Sequence, residues 1–531
     1  MSLAKNTLVQ SGLTLGSRVL GFARDLALAA QFGQGPLSDA FATALMLPNL
    51  FRRLFAEGAF AQAFVPVYGK VRTEEGEAEA ANVASQALSF VMAAVVVFVV
   101  LAQLVMPWVM PLLLDAYRDD PATLRLATTA TQLAMPYLAC MTLASLLSGV
   151  LNTSGRFALA AGVPIALNVC TLVPLLLIRN DDQLALLATS AAVAVSGLVQ
   201  AGLLWWGTRR LGVRLSFRAP RLTPAVRRML VVAVPGALAG GALQLNSLVS
   251  QVLTGQDEGG RTVLYNADRL YQLPLGLVGV AIGLALVPRL TRSFLSGNHE
   301  EARATLDEGL GLAMLFTLPA AVALFVAPYF IIDATVTRGE FTSADALRTA
   351  DVLRQFAWGV PAFVLAKVLT PPFFARQDTR RPMQYAVVSV VVTVALGTAL
   401  FYGFRSAGVD GVIGLAIATS VSAWVNVALL GGTLIREGIY RPGPAVLGRL
   451  VRVAAAAAAM GGVVLVCSVF YPLLSRVLGS KEVAVLAAVG LGGLVYAGAA
   501  LVLGAVTRTE LKGALRRERG AAGPSAPGLD G

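Results

Sequence analysis

The chain has 531 residues, 56% hydrophobic and only 14% charged, against about 25% charged residues in an ordinary soluble domain. That excludes a soluble globular protein and predicts a polytopic membrane protein. A net charge of +12 would raise nucleic-acid binding in a soluble chain, but the arginines here lie in short loops between apolar blocks, where they set topology.

Apolar blocks of twenty or more residues, each able to cross a core of about 30 Å, predict an all-α protein with fourteen membrane spans. They fall at about 6–32, 38–68, 81–110, 123–151, 158–178, 184–206, 225–253, 262–288, 305–327, 345–373, 383–403, 411–435, 447–470 and 482–506. Span 1 imitates a signal peptide, with Lys5 before an apolar run, but Arg18, Arg24 and Asp25 interrupt the uncharged stretch that such a leader needs.

Spans 1 and 2, joined by a short Gly-Pro turn, carry seven charges: Arg18, Arg24, Asp25, Asp39, Arg52, Arg53 and Glu57. Each would cost about 3–17 kcal/mol facing lipid at mid-membrane, so they face a polar interior. At 100° per residue Arg18 and Asp25 share a face of helix 1, and Arg24 lies to one side. In helix 2, Asn49, Arg53 and Glu57 form a polar stripe at i,i+4 spacing, with Arg52 beside it and Pro48 predicting a bend. Span 8 adds Asp268 and Arg269, and span 10 adds Lys367.

These charges allow two readings. Asp25 with Arg18 or Arg24, Arg53 with Glu57, and Asp268 with Arg269 would pin the bundle by internal pairing. Against that, the cations Arg18, Arg24, Arg52, Arg53, Arg269 and Lys367 outnumber Asp25, Asp39, Glu57 and Asp268. Surplus buried arginine suits a phosphate or carboxylate ligand, which it binds through two parallel hydrogen bonds. No G-x-x-x-x-G-K-[ST] phosphate loop occurs. Cys140, Cys170 and Cys467 sit singly in apolar runs, and His299 is the one histidine. A metal cluster and a Ser-His-Asp triad are therefore excluded; neither a cofactor nor enzymatic activity is expected.

Arginines concentrate in the loops after spans 6, 8, 10 and 12 and in the C-terminal tail, so both termini are expected to be cytoplasmic. Pro48 and Pro274, AFVP and ALVP, and LNTSGR and FARQDTR recur at an offset of roughly 225 residues, as two parallel six-span halves would. The expected organisation is an N-lobe at 1–207, a basic linker at 208–223, a C-lobe at 224–436, helices 13–14 at 437–507 and a tail at 508–531.

RVLGFARD, SDAFATALMLPNLFRRLFAEGAFAQAFVP, YNADRLYQLPLGLVGVAIGLALVPRL, SGNHEEA and KVLTPPFFARQD together resemble the MurJ (MviN) family of lipid II flippases. That family lies within the larger multidrug/oligosaccharidyl-lipid/polysaccharide exporter group. The resemblance runs from about residue 1 to 382 and by hydropathy to the end. It implies two six-helix lobes around a central cationic cavity, plus two C-terminal helices lining a groove for the lipid tail. It implies alternating access that moves an undecaprenyl-pyrophosphate-linked disaccharide-pentapeptide outward across the bacterial cytoplasmic membrane for peptidoglycan synthesis. Arg18, Arg24, Arg52 and Arg269 fall at the family's substrate-binding positions and Asp39 at its acidic position. Asp25, Asp39, Arg53, Glu57 and Asp268 are candidate gating residues or charge partners, Asp39 as part of a gate that pairs with an arginine in one state and releases it in the other. Spans 13 and 14 are Ala/Gly/Val-rich and lack family motifs. Implied partners are lipid II, membrane lipids and cell-wall synthesis proteins, and no nucleic acid. The drive is left open between the membrane potential and an ion. The alternatives are an exporter of another polyprenyl-linked saccharide and a non-transporting scaffold of the cell-wall machinery.

Overall fold

A computed structural model of the chain describes residues 3–53, 60–213 and 215–506, and every regular element in them is helical. In chain order these are α1 (Leu3–Phe32), α2 (Pro36–Arg52), α3 (Phe60–Glu74), α4 (Glu77–Leu113), α5 (Pro121–Ala134), α6 (Tyr137–Thr153), α7 (Phe157–Gly162), α8 (Pro164–Leu177), α9 (Asp182–Arg210) and α10 (Pro224–Thr254). They continue as α11 (Gly260–Leu295), α12 (His299–Val326), α13 (Pro328–Thr335), α14 (Ser343–Ala357), α15 (Val360–Leu369), α16 (Pro371–Ala375), α17 (Arg380–Ser406), α18 (Gly411–Arg436), α19 (Pro444–Val469), α20 (Tyr471–Val477) and α21 (Lys481–Val502).

Among the described residues, ten helices or helix pairs are long and apolar enough to cross a membrane. They match the expected spans 3–6 and 9–14. The expected spans 1, 2, 7 and 8 coincide with α1, α2 plus α3, α10 and α11. Every window of 18 residues within 12–32 of α1 holds Arg18, Arg24 and Asp25, the charges that mark it as a polar-interrupted span.

Several expected single spans are two helices, and proline is the reason. Pro136 separates α5 from α6, Pro164 opens α8 directly after α7, and Pro361 opens α15 after α14. Proline brings no N–H, so the carbonyl four residues earlier loses its donor. Pro107 does this to Gln103 and Pro136 to Gln132. The two orphaned carbonyls are repaired across helices: Gln103 Nε2 donates to Gln132 O at 2.8 Å, and Gln132 Nε2 donates to Gln103 O at 2.9 Å. In a lipid solvent such repair is the condition for keeping a broken helix.

Helix starts follow side-chain capping. Asp120, Asp181, Thr223, Asn298 and Ser480 accept from the first free N–H groups of α5, α9, α10, α12 and α21, each such cap being worth about 0.5–2 kcal/mol.

The chain forms two compact units. One holds residues up to Asn266 with Val336–Arg348 and Val394–Leu415; the other holds Ala267–Thr335, Thr349–Thr393 and residues from Ala416 on. In the first, α2 packs on α5, α6 and α8 on α9, and α1 on α8, around Phe41, Leu45, Met110, Met135, Leu138 and Leu186. Phe64, Tyr68, Leu88 and Leu147 fill a second core under α3 and α4. In the second unit, α12 packs on α15 and α19, and α19 on α21, around Leu306, Met314, Val364 and Phe373. Helices α19 and α21, which lack family motifs, are fixed by packing and by a polar tie. Asp333, 2% exposed, accepts from Tyr471 Oη and pairs with Lys481 Nζ at 2.9 Å.

Candidate functional site

The charged residues of α1 are placed one by one. Arg24 is 3% exposed and its guanidinium meets Asp25 Oδ1 at 2.6 Å. The same carboxylate oxygen accepts from Tyr265 Oη at 2.9 Å, and Arg24 Nη2 lies 3.3 Å from that hydroxyl. Asp25 therefore takes Arg24, of the two partners the sequence allows. Arg18 is exposed on α1. Arg24, Asp25 and Tyr265 form a compact knot between α1 and the start of α11, beside a crevice lined by Asp25, Phe32, Phe41, Thr262, Tyr265 and Asn266.

On α2 Asn49 is bonded to Arg52, the residue expected beside the Asn49–Arg53–Glu57 stripe. Arg52 Nε donates to Asn49 Oδ1 at 3.2 Å, while Arg53 is exposed at the helix C-cap. Positions three apart are neighbours on a helix just as those four apart are. Glu57 lies outside the described residues, and with it the Arg53–Glu57 pair. In the second unit Asp268 accepts from Gln272 Nε2, and Arg269 and Lys367 are exposed.

Asp39 is fully buried at the other end of α2. Its two oxygens receive Tyr117 Oη at 3.0 Å, Gly259 N at 2.9 Å, Thr262 N at 3.1 Å and Thr262 Oγ1 at 2.8 Å. Each of these donors is neutral. Sequence reasoning offers an arginine as the partner of this carboxylate in one of two states. The cation in the cluster is Arg261, 1% exposed, whose guanidinium bonds Thr43 Oγ1, Leu113 O and Gln251 O. Burial, and then the Asp39 carboxylate, push the Tyr117 phenol well above its usual pKa, so it stays a donor.

A second closure lies nearby in the same unit. Glu340 N donates to Ala30 O at 2.9 Å. Gly33 and Gly339, at φ +59° and +57°, let the two backbones touch: a Cβ on Gly339 would sit 2.0 Å from Ala30 O. Arg348 then bonds Asp410 and Glu258 O.

Tyr117, Arg261, Thr262 and Tyr265 are the site residues that sequence reasoning missed. Arg261 carried a signal, an arginine behind the Gly259-Gly260 pair at a helix start, but it reads equally as one more loop cation. The other three are neutral and brought in from far along the chain.

With this geometry in hand, the chain can be set beside known proteins. The family model described as Lipid II flippase MurJ matches residues 28–478. A probable lipid II flippase MurJ of Rhizobium meliloti (strain 1021) is 39% identical over 464 residues, covering 87% of this chain and 86% of that protein. A probable lipid II flippase MurJ of Rhizobium tropici is 36% identical over 543 residues, covering 100% of both. Among solved structures, a lipid II flippase MurJ in an inward closed conformation superposes with a TM-score of 0.77 at 21% identity, covering 93% of this chain and 98% of that one. An inward-facing multidrug resistance MATE family transporter of the MOP superfamily gives a TM-score of 0.63 at 14% identity, covering 81% of this chain and 98% of that one. These two structural likenesses bear on the fold alone.

Proposed function

This chain belongs to the lipid II flippase MurJ family and is a lipid II transporter rather than an enzyme, and we propose that it moves its substrate from the inner to the outer leaflet of the bacterial cytoplasmic membrane by alternating access. The observation that carries the mechanism is the use made of the acidic residues. Asp39, fully buried, is held by neutral donors, so it is not the counter-ion of Arg24, and the cation surplus of α1 and α2 is larger than a simple charge count gives. A pyrophosphate meets that surplus.

In this reading Arg18, Arg24, Arg52 and Arg269 hold the pyrophosphate. Asp25 and Tyr265 hold the Arg24 guanidinium in place, so that little side-chain freedom is lost when the anion docks. Asp39 acts as a latch at the outer end of α2, bonded to the turn between α10 and α11 when that end is shut. Residues 1–207 and 224–436 are the two moving lobes, both termini are cytoplasmic, and α19 and α21 line the lipid-tail groove.

The test is rescue of a flippase-depleted bacterium, scored by lipid II exposed at the outer face. The parent chain restores exposure. Arg24→Ala and Arg269→Ala lose it while membrane abundance stays near the parent's. If both variants disappear from the membrane instead, the arginines are structural ties and the docking assignment fails.

A further inference from the structure

A cavity of about 400 Å³ opens at the end of the first unit, walled by Leu175 and Leu176 and lined by Gln31, Arg179, Asp182 and Glu340. That volume lies in the range of small-molecule sites, about 300–1,000 Å³. The cavity is distinct from the Arg24 knot and from the Asp39 latch. Its charged groups are not spent on one another: among the described residues Arg179 makes one hydrogen bond, Nε to Leu176 O, and neither Asp182 nor Glu340 is in an ion pair. Gln31 gives its Nε2 to Ile178 O and reaches Asp182 Oδ1 at 3.4 Å, while its Oε1 is buried without a partner. Leu176 of the wall is 49% exposed, and Leu177, the next residue along α8, is 78% exposed.

We propose that this cavity binds the phosphoethanolamine headgroup of a membrane phospholipid. One guanidinium and three acceptors describe a ligand with one anionic and one N–H-rich cationic end. Arg179 suits the phosphate, because a guanidinium grips two phosphate oxygens at once. Asp182, Glu340 and the unpartnered Gln31 Oε1 suit a primary ammonium, which has three donors to give. A choline headgroup has the charge without the donors, and a glycerol headgroup has no cation. The exposed Leu176 in the wall, with the exposed Leu177 next to it on α8, puts apolar surface beside the mouth where acyl chains can lie, which favours a lipid over a soluble metabolite.

The experiment uses the purified full chain in maltoside micelles. Its melting temperature is read with equal mole fractions of palmitoyl-oleoyl phosphatidylethanolamine, phosphatidylcholine or phosphatidylglycerol. The ethanolamine lipid is expected to raise the melting temperature by several degrees more than the other two. Arg179→Gln and Glu340→Gln, both at exposed positions, are expected to abolish that difference. The difference is taken within each variant, so a change in its lipid-free stability does not enter. Equal shifts for the ethanolamine and choline lipids overturn the proposal, as does an ethanolamine preference that survives both substitutions. A shift produced by water-soluble phosphoethanolamine but not by the lipid overturns it as well.

Discussion

Asp39 collects four donors on two oxygens in a fully buried site, and that arithmetic fixes what its amide would do. Asparagine has one acceptor oxygen and an NH₂ group, which in this site would face N–H and O–H donors. Each buried donor left without an acceptor costs about 1–3 kcal/mol. Asp39→Asn should therefore loosen α2 from the turn between α10 and α11, and so shift the population toward an open outer end, since only a differential interaction moves such an equilibrium. Ser38 Oγ and Thr262 Oγ1 are 2.9 Å apart, so Ser38→Cys with Thr262→Cys provides the gauge; it gives up the Thr262 hydroxyl bond and keeps the three donors Tyr117 Oη, Gly259 N and Thr262 N. Crosslinking of that pair is expected to fall when Asp39→Asn is added, and unchanged crosslinking would sink the latch. The importance of Asp39 was legible because a carboxylate inside an apolar run stands out by its cost. Its partners were not legible. Tyr117, Gly259 and Thr262 are neutral and lie 78 to 223 residues away, and nothing in their local sequence marks them as donors to a distant acid.

Helices here are broken and mended in pairs, and Gln103 with Gln132 shows how. The prolines at 107 and 136 were visible in the sequence and each predicts a lost backbone bond. The sequence did not show that the two vacancies face each other, because that depends on how α4 packs on α5. The two bonds join the same two helices at one crossing: removing the Gln103 side chain leaves Gln132 O without its donor, removing that of Gln132 leaves Gln103 O without its own, and once one bond is gone the other is held less firmly. Gln103→Leu and Gln132→Leu are each expected to destabilise the folded state, with the double variant less destabilised than the sum. Coupling energies between polar side chains in membranes average about 0.6 kcal/mol and reach about 1.7, and two well-formed bonds place this pair in the upper part of that range. A double-mutant cycle on unfolding in mixed micelles measures it. Strict additivity would mean that the two bonds act independently. The same reasoning explains why the helical character of the spans was read correctly while their internal breaks were not. Apolar length is a local property, whereas the repair that lets a proline stay is a tertiary one.

On the scale of the molecule, segments 224–266, 336–348 and 394–415 gather with α1 to α9 in one compact unit. Their ties are the bonds of Asp39 to Gly259 and Thr262, of Glu340 to Ala30, and of Arg348 and Arg405 to Asp410 and Asp257. In the proposed orientation, which is read from the arginine bias of alternate loops, these ends face the outside. We propose that the membrane potential drives transport, by charge balance over a complete cycle. If the cavity arginines neutralise the pyrophosphate, the loaded protein turns outward carrying little net charge, and the potential acts on the return, when the empty cationic cavity turns back toward an inside-negative compartment. If they neutralise it only in part, the potential acts on the loaded step. In both cases the sum over the cycle is one substrate anion moved outward, worth about 2.3 kcal/mol per charge per 100 mV, or roughly 50-fold in the ratio of outer to inner lipid II at 1.4 kcal/mol per decade. Proteoliposomes holding the full chain and lipid II, given an inside-negative potassium diffusion potential, should therefore accumulate lipid II in the outer leaflet, and reversing the potential should reverse the accumulation. A ratio that ignores the potential but follows an imposed sodium or proton gradient would assign the drive to an ion instead, with the cavity arginines serving recognition alone.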